Sequence, residues 1–164
     1  MVKSIYLIDP LTGLYNRNVV EEFLKKELER AKRHKYDVSF IMADLDNFKQ
    51  INDKFGHITG DEVLKNFAKI ILENIRSSDY GIRYGGEEFL VVLIYTQAKE
   101  AFAKAEDIRQ KLENSSTEGI KITASFGVTS LGLHPEKSLE ELLIVADQAL
   151  YLAKSSGKNR VEVL

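Results

Sequence analysis

The chain has 164 residues, 44% of them hydrophobic, with 23 basic against 25 acidic side chains, enough apolar content for a proper core and a length that argues for one domain spanning 1–164. A net charge of −2 gives no general attraction to DNA, RNA or anionic membranes, so any contact with phosphate has to be local. Cysteine is absent, which excludes disulfides, thiolate chemistry and cysteine zinc sites. No apolar run approaches the ~20 residues of a membrane span and the N-terminus lacks a signal-peptide pattern, so a cytoplasmic domain without direct membrane contact is expected.

In chain order, Val19, Val20, Phe23, Leu24, Leu28 and Ala31 recur at helical spacing and predict an amphipathic helix over roughly 17 to 34. Val38 to Leu45 is apolar on both alternating faces, as a strand covered on both sides should be. Val63, Leu64, Phe67, Ala68, Ile71 and Ile75 predict a second helix, opened by a capping box of Thr59 and Glu62. Gly81 to Thr96 reads as a hairpin in which Gly85 and Gly86 supply the positive φ of a two-residue primed turn. Ala101, Phe102, Ala105, Ile108 and Leu112 predict a third helix ending near Asn114, and Ile120 to Leu131 another strand. Ser138 and Glu141 form a second capping box for a helix through Leu142, Ala146, Leu150 and Ala153, with Gly157 at its C′ position and Arg160 to Val163 as a short edge strand. The order predicts an α/β fold of the α+β type, helices over a central, mostly antiparallel sheet.

Acids gather at the strand ends. Asp44 and Asp46 alternate on one face about 7 Å apart, and Glu87 and Glu88 follow the hairpin turn, where neighbours point to opposite faces of a regular strand. If the strand neighbours the hairpin, Asp44 and one glutamate converge, and their repulsion calls for a cation, with magnesium suited to hard oxygen ligands. The spacing alone is equally that of solvated turn acids. His34, His57 and His134 have no ligand spacing.

The stretch Arg83-Tyr84-Gly85-Gly86-Glu87-Glu88-Phe89, with Ala43-Asp44-Leu45-Asp46-Asn47-Phe48-Lys49 continuing to Gly60-Asp61, resembles the GGDEF family of diguanylate cyclases in its GGEEF form. The resemblance starts at Asp9-Pro10-Leu11-Thr12-Gly13-Leu14-Tyr15-Asn16-Arg17 and continues through Ala124 to Val128, Ala146 to Lys154 and Gly157-Lys158-Asn159, nearly the whole chain in order. It implies a palm-like, ferredoxin-like core related to nucleotidyl cyclases. It also implies condensation of two GTP into cyclic di-GMP with release of pyrophosphate, at the interface of two domains.

By that resemblance Asp44, Glu87 and Glu88 are the metal-binding and catalytic acids, holding Mg²⁺ or Mn²⁺, two ions per site. Asp46 stands at a weaker position and reads as structural. Asn52 and Asp61 would read guanine, with Asp61 otherwise a first-turn acid on a helix dipole. Backbone at Phe48, the pair Gly85 and Gly86, and Lys154 and Lys158 would hold the phosphates, Lys158 replacing a frequent arginine. Arg76 and Asp79, an RxxD pair, would bind product at an inhibitory site, with Arg83 adding charge there. The resemblance also implies a homodimer for turnover and an upstream sensory or receiver domain outside this sequence, leaving a domain that is weakly dimeric alone. A catalytically silent cyclic di-GMP receptor is the alternative, and a cyclase that also accepts ATP a third.

Overall fold

The computed structural model describes residues 6–164. The helix expected over 17 to 34 is present, but it opens with a π-helical turn, Val20–Leu24, before α1, Lys25–His34. There follow β1 (Val38–Leu45), α2 (Phe48–Phe55), α3 (His57–Glu73), β2 (Tyr80–Arg83), β3 (Glu88–Ile94), α4 (Ala98–Glu113), β4 (Ala124–Ser130), α5 (Leu139–Ser155) and β5 (Val161–Val163). The sheet runs β2-β3-β1-β4-β5, antiparallel except for the β4–β5 pair at one edge. Among the described residues no helix is long and apolar enough to cross a membrane.

Strand alternation divides the core between the two faces. Ile41, Ala43 and Leu45 of β1, with Phe89, Val91 and Leu93 of β3, pack under α3 and α4. There Phe67 stands edge-on to Phe89 with ring centroids 4.9 Å apart. Phe40 and Met42, with Leu90, Val92 and Ile94, pack on the other face under α1 and α5. β1 is therefore covered on both sides, as its double apolar run predicts. By the same alternation Asp44 and Glu88 belong to the α5 face.

Four local expectations are corrected. α2 occupies a stretch to which the sequence reading assigned no element; Phe48, Ile51 and Phe55 supply its apolar side, but Asn47 enters it with φ 57° rather than as a side-chain cap. α3 begins at His57, not after Thr59, because Gly56 alone separates it from α2 and turns the corner with φ 92°. Thr59 then lies inside the helix and its hydroxyl donates to Glu118 Oε1 at 3.3 Å. The strand expected from Ile120 starts only at Ala124. Before it, Glu118 (φ 52°) and Gly119 (φ 81°) make a tight turn, closed by hydrogen bonds of 2.9 and 2.8 Å between Thr117 and Ile120. That is the primed geometry expected at Gly85 and Gly86, where neither glycine takes a positive φ.

The second capping box is as read, with Glu141 N donating to Ser138 Oγ at 3.2 Å and Ser138 N to Glu141 Oε1 at 2.9 Å. Gly157 takes φ 124° just past α5, and β5 forms the expected edge strand.

Candidate active site

Asp44 pairs with Glu88 in the antiparallel register of β1 and β3, so the two carboxylates leave the sheet on the same face. Glu87 is held next to them by the turn, its carbonyl accepting from Leu45 N at 3.3 Å. Tyr84 and Gly85 both donate their amides to the Glu88 carbonyl, at 2.8 and 3.1 Å, which makes residues 84 to 87 a compact four-residue loop. A Cβ on Gly85 would lie 3.2 Å from Glu88 Oε1, whereas Gly86 borders open space. The glycines thus leave room at the loop rather than supplying a left-handed turn.

Burial raises the pKa of Glu88, with Asp44, Asp147 and Glu87 adding repulsion. Burial and then Asp44 do the same to Glu87. Asp44 is also raised, because burial outweighs the pull of Lys154, whose Nζ is 3.1 Å from Asp44 Oδ1. Among the described residues no three acids or histidines close on a single point, so this chain offers a metal a partial set of oxygen ligands. The donors suit a hard divalent cation, since such an ion would relieve the repulsion that holds these carboxylates up.

Asp46 behaves as the structural residue the sequence suggests. Its buried carboxylate accepts from Thr123 Oγ1 and Ser125 Oγ at 2.7 Å, Lys154 Nζ at 2.9 Å and Asn159 N at 3.0 Å. Burial pushes its pKa up, but these hydrogen bonds more than offset it and the net shift is down. Asn159 is fixed in turn at φ 48° by Glu113 and Arg109. Lys158, also left-handed, donates to Asn47 Oδ1 at 2.7 Å, so both lysines of the sequence reading come to the end of β1.

Asn52 on α2 and Asp61 on α3 belong to consecutive helices that touch where a Cβ on Gly60 would lie 1.8 Å from Asn52 Oδ1 and 3.3 Å from Phe48 Cζ. That oxygen is buried without a hydrogen-bond partner. Asp61 is exposed in the second turn of α3, so the first-turn dipole role expected for it is not found, a consequence of the helix starting earlier.

The RxxD residues form a clasp. Asp79 Oδ2 accepts from Arg76 N at 2.9 Å and its Oδ1 from Ile94 N at 3.0 Å, while Arg76 NH2 donates to Ile94 O at 2.6 Å and Thr96 Oγ1 at 3.0 Å. The Asp79 side chain is 2% exposed, but that of Arg76 is 60% exposed and borders a cavity of about 430 Å³ with Leu14, Leu72 and Ile75. Arg83 does not join them. Its guanidinium holds Gly86 O at 2.9 and 3.1 Å and pairs with Asp9 at 3.4 Å, so it braces the acidic loop, and the expectation that it adds charge beside Arg76 is corrected.

Asp147 is an acid with no motif signal of its own. It lies two helical turns before Lys154 on α5, a spacing that puts the two on one side of the helix, and its charge raises both Asp44 and Glu88.

Adjacent strand ends bring carboxylates and a lysine together beside two glycines. The chain belongs to the GGDEF family, whose profile, described as "Diguanylate cyclase, GGDEF domain", matches residues 6–160. It is 40% identical over 161 residues to the diguanylate cyclase DosC of Escherichia coli K12, covering 95% of this chain and 35% of DosC. The coiled coil and GGDEF domain of DgcB from Caulobacter crescentus, solved in complex with c-di-GMP, superposes with a TM-score of 0.92 at 29% identity, covering 99% of this chain and 88% of DgcB's. The active GGEEF domain of a diguanylate cyclase from Vibrio cholerae gives 0.86 at 39% identity, covering 92% and 97%.

Proposed function

We propose that this domain condenses two molecules of GTP into cyclic di-GMP, with two copies facing each other and each holding one GTP. The observation that carries the reading is Asp44 opposite Glu88 across β1 and β3, with Glu87 and Lys154 beside them. Each 3′-oxygen bonds to the α-phosphorus of the other GTP and gives up its proton, and the bond to the bridging oxygen breaks as pyrophosphate leaves with the electron pair. Glu87 or Glu88 takes the proton, both raised by burial and by neighbouring acids. Mg²⁺ or Mn²⁺, two ions per site when bound to Asp44, Glu87 and Glu88, would neutralise charge on the attacking and leaving oxygens.

Guanine suits Asn52 and Asp61. The exposed Asp61 carboxylate is an acceptor for the amino and N1–H donors of guanine, with the Asn52 side chain on the adjoining helix, and adenine would leave it unpaired. The triphosphate falls to Lys154, Lys158, the backbone at Phe48 and the space beside Gly85 and Gly86. One copy holds half of the reactants, so a two-fold pair of domains is required. The chain spans 35% of DosC, and we assign the promotion of pairing to a sensory or receiver domain outside this sequence.

The test is to incubate the purified domain with GTP and Mg²⁺ at several protein concentrations and identify products by mass spectrometry. Cyclic di-GMP rising more steeply than linearly with protein is the expected result. A domain that binds cyclic di-GMP yet makes none would be a receptor instead.

The Arg76 side chain, 60% exposed beside its cavity, supports a product-binding inhibitory site, as a cationic donor for guanine or for phosphate. Arg76→Ala is expected to raise the cyclic di-GMP concentration for half inhibition by about tenfold or more, the worth of one charge-assisted pairing, with initial velocity nearly unchanged. Unchanged inhibition would reduce the pair to a clasp between the α3–β2 turn and the end of β3. Asp79 is the poorer target, since its buried carboxylate carries that clasp.

A further inference from the structure

Building on the reading of Asp44 as a metal ligand, we infer that Lys154 is the resident cation of the nucleotide-free site, and that divalent metal reaches Asp44 only together with a triphosphate that draws the lysine away. The Lys154 ammonium is 3.1 Å from Asp44 Oδ1 and 2.9 Å from Asp46 Oδ1, and 3.3 Å from the carbonyls of both Asp44 and Leu45. Its three donors are thus all spent on acceptors at the end of β1.

The two aspartates hold it differently. Asp46 has a 2% exposed side chain and is fixed from three other sides by Thr123, Ser125 and the Asn159 amide, so it is the permanent anchor. Asp44 is 21% exposed, so it is the partner that can be exchanged. The flexible four-carbon stem lets the ammonium turn outward without leaving Asp46.

A divalent ion on Asp44 would sit roughly 2.1 Å from the oxygen the ammonium already uses, and two like charges so close in a partly desolvated site repel strongly. The bare protein has little to offset that, because no three acids among the described residues converge on one point. A triphosphate changes both sides of the balance, bringing oxygens to complete the metal's shell and an anionic partner for the displaced ammonium. Metal and nucleotide therefore load together.

The probe is Mn²⁺ alone, titrated into nucleotide-free protein and followed by electron paramagnetic resonance. Lys154→Met is expected to bind Mn²⁺ about tenfold or more tightly than wild type, as removal of a cation from the ligand sphere should allow, and adding Asp44→Asn is expected to cancel the gain. Lys154→Met binding Mn²⁺ no better than wild type overturns the inference. Lys154→Gln serves if the methionine variant does not fold. In wild type the ¹⁵N signal of the Lys154 ammonium is expected to stay in place with Mg²⁺ alone and to move with Mg²⁺ and a non-hydrolysable GTP analogue; movement with Mg²⁺ alone overturns it too. Failure of the underlying reading is distinct: if Asp44 is no ligand, Asp44→Asn leaves Mn²⁺ binding in the presence of the analogue unchanged, whatever Lys154 does.

Discussion

Asp44→Asn is expected to lower the rate of cyclic di-GMP formation by about a thousandfold or more, the scale on which loss of a metal-binding carboxylate abolishes phosphoryl transfer, while leaving the melting temperature unchanged or higher. The two halves of this result have one cause. Asp44 stands at the end of a buried strand opposite Glu88, and burial holds its carboxyl above the ordinary value of 3.8 even with Lys154 at 3.1 Å. A carboxyl raised in the folded state binds more protons there than in the unfolded chain, so stability falls as pH rises from the unfolded value through the folded one, and at neutral pH the ionised group costs stability. Asparagine keeps the shape, removes that cost and cannot serve as the charged ligand. Glu88→Gln follows the same logic, since burial and three neighbouring acids raise Glu88. Thermal melts beside product assays check both halves. Rates near wild type in Asp44→Asn would remove the residue from the chemistry, and a sharply lower melting temperature would mean that the ion pair with Lys154 outweighs the desolvation.

The parts of this arrangement that were legible in the sequence are those fixed by local pattern. The double apolar face of Val38 to Leu45 predicts a central strand, and the alternation of that strand then decides which acid faces which helix. Ser138 and Glu141 announce α5 because their cap is made within one turn. What was not legible depends on tertiary neighbours. Thr59 has the chemistry of a cap but sits inside α3, since Gly56 closes the corner from α2 earlier. Gly85 and Gly86 have the composition of a primed turn, yet Arg83 grips the Gly86 carbonyl and holds a wider loop. Arg83 reads as one more charge near Arg76 until β2 carries the two apart, toward Asp9 and Ile94 respectively. Asp147 carries no motif signal of its own and matters because α5 lies over the end of β1, bringing its charge to Asp44 and Glu88.

Gly127→Ala is expected to be the most damaging single-methyl change away from the acids. β4 and α5 meet at this residue so closely that an added Cβ would lie 2.2 Å from both Ala146 O and Leu150 N, and 2.8 Å from Ala149 C. All three are backbone atoms, so no side-chain rotation can absorb the methyl, and α5 has to lift from the sheet. That costs about 3 kcal/mol or more, at the upper end of overpacking effects, and lowers the melting temperature by roughly 6 to 12 °C for a domain of this size. Because α5 carries Lys154 toward Asp44 and Asp46, the displacement also loosens the site. Gly86→Ala is the control. Its Cβ would meet nothing within 4 Å and its backbone is not left-handed, so the fold should be unaffected, and any loss of activity reports crowding of the phosphates. Melting curves of the two variants side by side decide the matter: equal stabilities would mean that α5 accommodates the methyl by a shift too small to matter, and that the glycine of Ala124-Ser125-Phe126-Gly127-Val128 owes its place to something other than helix contact. The expected outcome, a destabilised Gly127→Ala and a stable but less active Gly86→Ala, assigns one glycine to the approach of a helix and the other to the approach of a ligand.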